Sequence, residues 1–369
     1  MAPGPVARGR AWAQDLQAQD RAWEQARAVA WAPPEAWDLA AVQDPEGAAA
    51  NKHPRLGQIP ILLTEAGNNV ARFLPQRIVM NRTQVTEFSL PSVNGSGETA
   101  RGSILFIGTA TVLLRYAGFT MLTDPNFLHR GEYAHLGYGL RSQRLTEPAI
   151  PFESLPEFDM VLLSHLHEDH FDRRVERLLN PTIPIITTPR AAQALSEKGF
   201  QRTTGLSTWQ EASFIRGGIR LRISSMPGRH GPWLVSRLLP PVMGSMLEFI
   251  QADEVLLRLY VSGDTLLFDQ LAEIKGRYAS IDKALIHLGG TRILGLLVTM
   301  DAEQGVGLLK MLKPKVAVPI HYNDYTVFKS TLADFQREVR EAALETNVEY
   351  LRHGDTYTFD VHAPRAVGL

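Results

Sequence analysis

The 369-residue chain contains no cysteine. That absence excludes disulfides, thiolate metal sites, a cysteine nucleophile and cysteine-held iron–sulfur clusters. Any metal must therefore rest on nitrogen and oxygen donors. An excess of either charge is also lacking: 38 Lys and Arg stand against 39 Asp and Glu, a formal net charge of -1. Nucleic-acid binders usually carry a clear basic excess, so no nucleic-acid partner is expected. Long apolar runs are missing too. Ile104–Ile107 and Val255–Tyr260 fall far short of the roughly 20 residues a spanning helix needs. The opening MAPGPVARGRAWAQDLQAQD has arginines but no apolar core of a secretory signal. The expectation is a cytoplasmic protein without stable membrane insertion; nothing in the sequence sets its oligomeric state.

What the chain does carry is the composition of a packed protein, 44% apolar and 21% charged. Residues 1–95 read as an N-terminal extension, helical and loop-rich. Arg10 to Ala30 has neither Gly nor Pro and sets Trp12, Leu16 and Trp23 on one face. Pro33, Pro34 and Pro45 break the stretch after it, and Leu90–Gly102 is the best linker candidate. Residues 103–360 then change to short β-rich runs. Strands are expected at Ser103–Ile107, Thr111–Tyr116, Phe119–Thr123, Asp159–Ser164 and Ile183–Thr187. Further strands are expected at Ile219–Ser225, Met246–Ile250, Leu256–Ser262, Lys283–Ile286 and Val316–Ile320. Helices are expected at Arg190–Lys198, Leu266–Lys275, Ala302–Leu312 and Ser330–Glu345. Strands alternating with helices indicate an α/β domain of layered sheets and helices.

The sharpest feature is Ser164-His165-Leu166-His167-Glu168-Asp169-His170, three imidazoles and an acidic pair directly after an apolar strand. Imidazole nitrogen and carboxylate oxygen suit zinc and related divalent ions. More candidate ligands follow other strands: His230 after Leu221–Ser225, Asp264 after Leu256–Ser262, and His321 after Val316–Ile320. Asp124 likewise ends Phe119–Thr123. Acidic and imidazole groups gathered at strand ends are how α/β folds build active sites. Each has a plainer reading: Asp264 could cap a helix starting at Leu266, and His321 could be a satisfied core histidine.

The order Asp124, then His-x-His-x-Asp-His, then His230, Asp264 and His321 resembles the metallo-β-lactamase-fold hydrolase superfamily. Ile107-Gly108-Thr109-Ala110-Thr111 through Thr123-Asp124-Pro125 is similar to the branch of N-acyl phosphatidylethanolamine phospholipase D and L-ascorbate-6-phosphate lactonase. The resemblance runs from about Ser103 to Asp360 and implies an αββα sandwich with metals at one edge. It implies His165, His167 and His230 on one metal, Asp169, His170 and His321 on another, and Asp264 bridging both. Asp124 would then orient a ligating histidine. Asp169 counts among the catalytic residues as well as the ligands.

No cysteine stands at a metal position, unlike the lactamases proper, which argues against β-lactam hydrolysis. His167 stands where the superfamily's di-iron flavoproteins carry Glu, which favours Zn2+, two per chain, over Mn2+ or Fe2+. Two such ions can share a water, lower its pKa and direct it at a carbonyl or phosphoryl centre. The expected activity is hydrolysis of a small ester-type substrate, a phosphodiester ahead of a lactone or carboxylic ester. An iron-dependent redox enzyme and a metal-binding scaffold are the competing classes. His287, before Gly289-Gly290, is a candidate proton donor facing the substrate; Arg229, Arg292, Tyr322 and Lys329 could bind an anionic group. His129 and His135 could line the pocket. Trp233–Met246 and Ile293–Met300 are apolar enough to receive a lipophilic small molecule.

Overall fold

In the computed structural model the described residues are 86–90, 99–137, 139–233 and 235–361. The expected N-terminal helix with Trp12, Leu16 and Trp23 lies outside them, as do most of the linker candidate and the last eight residues. In chain order the strands begin with β1 (Thr86–Ser89), β2 (Arg101–Gly108), β3 (Thr111–Tyr116), β4 (Phe119–Thr123), β5 (Tyr133–Gly137) and β6 (Leu140–Gln143). Next come β7 (Met160–Leu162), β8 (Ile185–Thr187), β9 (Thr203–Gly205), β10 (Glu211–Arg216), β11 (Ile219–Met226) and β12 (Gly244–Gln251). The last are β13 (Glu254–Val261), β14 (Lys283–His287), β15 (Arg292–Ile293), β16 (Leu296–Leu297), β17 (Val316–Ile320), β18 (Asn347–Val348) and β19 (Thr356–Asp360). Among the described residues the α-helices are α1 (Arg173–Leu178), α2 (Pro189–Glu197), α3 (Ala272–Arg277), α4 (Ala302–Leu312) and α5 (Leu332–Ala342).

Two large sheets form. One has the order β1-β10-β11-β12-β13-β14-β17-β18, the other β19-β2-β3-β4-β7-β8-β9. Alternation along each strand divides its side chains between two cores. On β3, Val112 and Leu114 face the opposite sheet and meet Ile223, Leu247 and Phe249. Leu113, between them, joins Leu122, Val161, Val175 and Leu195 beneath α1 and α2. On the other sheet, Met246, Tyr260 and Ile286 pack outward against Ile274, Val306, Leu309 and Phe335 of α3, α4 and α5. Helices outside and two sheets inside make the expected αββα sandwich.

Beyond the parallel β1–β10 pair at one edge, both sheets turn from antiparallel to parallel pairing along their order. β13, β14 and β17 run parallel to one another, as do β4, β7 and β8. Their C-terminal ends therefore come to one edge of the sandwich, where loops can carry chemistry. Among the described residues, no helix is long and apolar enough to cross a membrane.

Candidate metal centre

The loops at that edge bring all seven candidate ligands together. Continuous apolar β7 ends at Leu162, and the next turn carries His165, His167, Asp169 and His170. That turn is closed by the His170 and Phe171 amides, both donating to the His167 carbonyl. Asp172 then starts α1, its carboxylate accepting from the Arg174 and Val175 amides. The turn is thus pinned between a buried strand and a capped helix.

His165, His167 and His230 form one set of converging donors; Asp169, His170, Asp264 and His321 form another. Within each set the donor atoms lie within 4.8 Å of one another. The sets adjoin, with the rings of His165 and His170 only 4.2 Å apart. All seven side chains are buried. The facing nitrogens of His165 and His167 are 2.9 Å apart, with no carboxylate in that set.

Backbone partners settle which imidazole nitrogen faces the centre. His230 Nδ1 is 2.9 Å from the Val298 carbonyl and His321 Nδ1 is 3.0 Å from that of Leu288. A carbonyl only accepts, so each Nδ1 carries a hydrogen and Nε2 is the nitrogen turned to the site. His321 itself sits at φ 62°, a left-handed backbone that side chains rarely adopt. Its N–H donates to the Thr109 carbonyl at 2.6 Å, which holds it there.

Electrostatics differ between the sets. Burial, reinforced by the neighbouring imidazoles, holds His165 far below the usual histidine value. Burial also takes His167 down to about 3, with His230 adding to the shift. His230 is lowered too, mainly by burial. All three are held towards the neutral imidazole, the form that can offer a lone pair. Burial works against charge on His170, but the carboxylates of Asp264, Asp169 and Asp124 outweigh it and hold that group well above its ordinary value. His321 is raised in the same sense. Asp169 and Asp264 are held ionised despite burial, by the imidazoles around them.

Fit to a cation can be read from atoms without partners. Asp169 Oδ1, His170 Nε2, Asp264 Oδ1 and His321 Nε2 are buried and make no hydrogen bond. Polar atoms so placed are costly unless something satisfies them. Four in one cluster, all nitrogen or carboxylate oxygen, suit a divalent ion.

One plainer reading falls and two expectations change. Asp264 does not cap a helix: its Oδ2 accepts from the Thr299 hydroxyl at 3.0 Å, and helical turns begin only at Asp269. His287 was expected to face the substrate. It is fully buried behind His170, with Nε2 3.2 Å from Asp124 Oδ2 and Nδ1 3.2 Å from Ser262 Oγ. Both nitrogens are engaged away from the edge, so it backs the site instead of facing a ligand. The anion-binding candidates are also occupied elsewhere. Tyr322 donates to the Leu351 carbonyl, Lys329 to that of Thr326 and Arg292 to that of Gly295, while Arg229 lies over the Phe268 ring.

Asp124 takes the orienting place expected of it. One carboxylate oxygen accepts from the Ser164 amide at 2.7 Å; the other is 3.5 Å from His170 Nδ1. Burial pushes its acidity down, yet His170 and His287 bring its pKa to about 2. His129 and His135 are exposed and paired with Glu147 and Glu168. Sequence reasoning missed Asn126, Ser262 and Thr299. Their signals, a polar residue two after Asp124 and hydroxyls beside other candidates, are too common to stand out.

Comparison with known proteins agrees with this geometry. The family model described as a beta-lactamase superfamily domain matches residues 121–322, and the chain belongs to that family. A UPF0173 metal-dependent hydrolase of Pelotomaculum thermopropionicum is 30% identical over 200 residues, 54% of this chain and 81% of the relative. Another, from Nanoarchaeum equitans, is 27% identical over 210 residues, 56% of this chain and 89% of that one. Within the metallo-β-lactamase fold, the chain is thus a metal-dependent hydrolase of the UPF0173 family. Among solved structures, an isothiocyanate hydrolase from Delia radicum gut bacteria superposes with a TM-score of 0.59 at 23% identity. That match covers 70% of this chain and all of the other, and it shows the shared fold.

Proposed function

We propose that the chain is a dinuclear hydrolase, with zinc as its metal, that cleaves a small ester-type bond, a phosphodiester ahead of a lactone. The observation that carries this reading is the pair of adjoining donor sets, one of imidazoles held towards the neutral form and one of carboxylates and imidazoles with unsatisfied atoms. On this reading His165, His167 and His230 hold one ion, Asp169, His170 and His321 the other, and Asp264 serves both. When bound, such ions acidify a shared water and polarise the bond it attacks.

The chain's own residues supply the rest. Val298 and Leu288 hold the Nδ1 hydrogens of His230 and His321, so that Nε2 is turned to the site. Asp124 aligns His170, and His287 with Ser262 aligns Asp124. Asp169, ionised and at the edge of the four-donor set, is placed to take a proton from the attacking water. The absence of cysteine and of a Ser-centred nucleophile motif fits direct attack by water.

The lean to phosphodiesters rests on the likeness of Ile107–Pro125 to the phospholipase branch. The solved isothiocyanate hydrolase supports including an electrophilic carbon substrate in the test. Turnover of bis-p-nitrophenyl phosphate, a lactone series and an aryl isothiocyanate should be measured side by side. The reading expects chelator-sensitive turnover, highest on the phosphodiester. Preference for a lactone or isothiocyanate would overturn the substrate class, and oxygen consumption with bound iron would overturn hydrolysis.

A further inference from the structure

Arg144 and Asp324 belong to neither donor set, yet they centre a buried polar cluster beside one of them. Arg144 is 1% exposed and Asp324 fully buried. Two of the three Arg144 guanidinium nitrogens are met, while the buried Nη2 makes no hydrogen bond. Arg144 Nη1 donates to the Asn126 carbonyl at 3.1 Å and also to Asn126 Oδ1, while Nε donates to the Thr146 carbonyl at 3.0 Å. The Tyr325 hydroxyl donates to the same Asn126 Oδ1 at 2.9 Å. With two donors on its oxygen, the Asn126 amide can turn only its NH2 the other way. That NH2 donates to the Glu168 carbonyl at 2.9 Å. This carbonyl belongs to the peptide that leads into Asp169.

A second arm runs to His321. Asp324 Oδ2 accepts the Thr109 N–H at 2.7 Å, and the Thr109 carbonyl accepts the His321 N–H at 2.6 Å. Asp324 Oδ1 takes the Thr146 hydroxyl and lies 3.2 Å from His353 Nε2. Thr146, held through its carbonyl by Arg144, joins the two arms. Both end on members of the four-donor set. His165 and His230 are held by other groups, Ser164 and Val298.

We propose that Asn126, its amide oriented by Arg144 and Tyr325, is a positioning residue that sets the Glu168–Asp169 peptide and with it the four-donor set. The proposal rests on reading that set as a metal site. Without the Asn126 NH2, the Glu168 carbonyl loses, among the described residues, the side-chain donor that holds it. The left-handed His321 would still be held by the Asp324 arm, so the damage should fall on Asp169 and His170.

The test compares wild type with Asn126→Asp and Tyr325→Phe. Asn126→Asp keeps the shape and the acceptor for Arg144 and Tyr325, but turns an acceptor towards the Glu168 carbonyl and towards Asp172 Oδ2, which the wild-type NH2 faces at 3.4 Å. Tyr325→Phe removes one of the two donors and leaves Arg144 to orient the amide. Zinc binding by equilibrium dialysis and hydrogen exchange of the metal-free chain are the readouts. Asn126→Asp should keep one zinc near wild-type affinity and bind the other about 10- to 100-fold more weakly. Amide exchange should rise at residues 168–170 and stay unchanged at 227–231. Tyr325→Phe, which keeps the Asn126 NH2 and one of its two orienting donors, should shift the same zinc and the same amides in the same direction but by less than Asn126→Asp. Unchanged binding of both ions by Asn126→Asp, or equal loss of both with faster exchange throughout, overturns the positioning role while leaving the metal site. A wild-type chain that takes up no zinc overturns the site reading and this inference together.

Discussion

Asp124 sits at φ 33° and divides its carboxylate between the Ser164 amide and the pair His170 and His287. Replacing it with Asn keeps the shape but removes the charge that aligns His170. Metal affinity should then fall about 10- to 100-fold, read by dialysis. Asp324 gives a pH-dependent prediction. Burial alone would raise its pKa, but His353, the Thr146 hydroxyl and Arg144 together hold it below the ordinary value. A depressed folded-state pKa stabilises the fold above the unfolded value of about 3.9 and loses that contribution as pH falls through the folded value. Asp324→Asn should therefore flatten the acid limb of stability below about pH 4, measured by urea unfolding from pH 6 downwards. An unchanged limb would show that Asp324 is not the group responsible. The seven candidate ligands were legible because imidazoles and carboxylates at strand ends are rare. His287 was misplaced because a strand-end position does not tell which side of the sheet a ring faces.

Gly263 links β13 to Asp264 at φ 63°, and a Cβ there would lie 2.6 Å from the Met243 carbonyl oxygen and 3.1 Å from Ser164 Cβ. Gly263→Ala should cost about 1–3 kcal/mol and also disturb Asp264. A thermal melt and metal titration should both shift, whereas a purely local strain would move only the first. At this scale the strong strands were readable: Thr111–Tyr116, Phe119–Thr123, Val316–Ile320 and helix Ala302–Leu312 match their expected bounds. Asp301 caps that helix, accepting from the Gln304 amide at 3.1 Å. The helix expected at Leu266 starts late, with helical turns only from Asp269; the Leu266 and Leu267 amides donate to the Arg229 carbonyl and the Gln304 side chain. Other elements left weak signals. α1 buries only Val175, and β1 pairs with β10 from a short segment before the linker candidate.

For the whole molecule, the layered architecture followed from strands alternating with helices, but the closure of two sheets on one core depends on long-range pairing that no local pattern carries. The antiparallel β19–β2 contact joins residues more than 250 positions apart in sequence and was invisible until the fold was in view. That closure brings the loops after β4, β7, β11, β13, β14 and β17 to one edge, so the centre depends on the sandwich as a whole. The most direct test is elemental analysis of the purified chain beside Asp264→Ala and His170→Ala. The account predicts about two zinc ions per wild-type chain, chelator-sensitive hydrolysis, and loss of both metal and turnover in each variant with the fold retained. Variants that keep full metal content and turnover would contradict it.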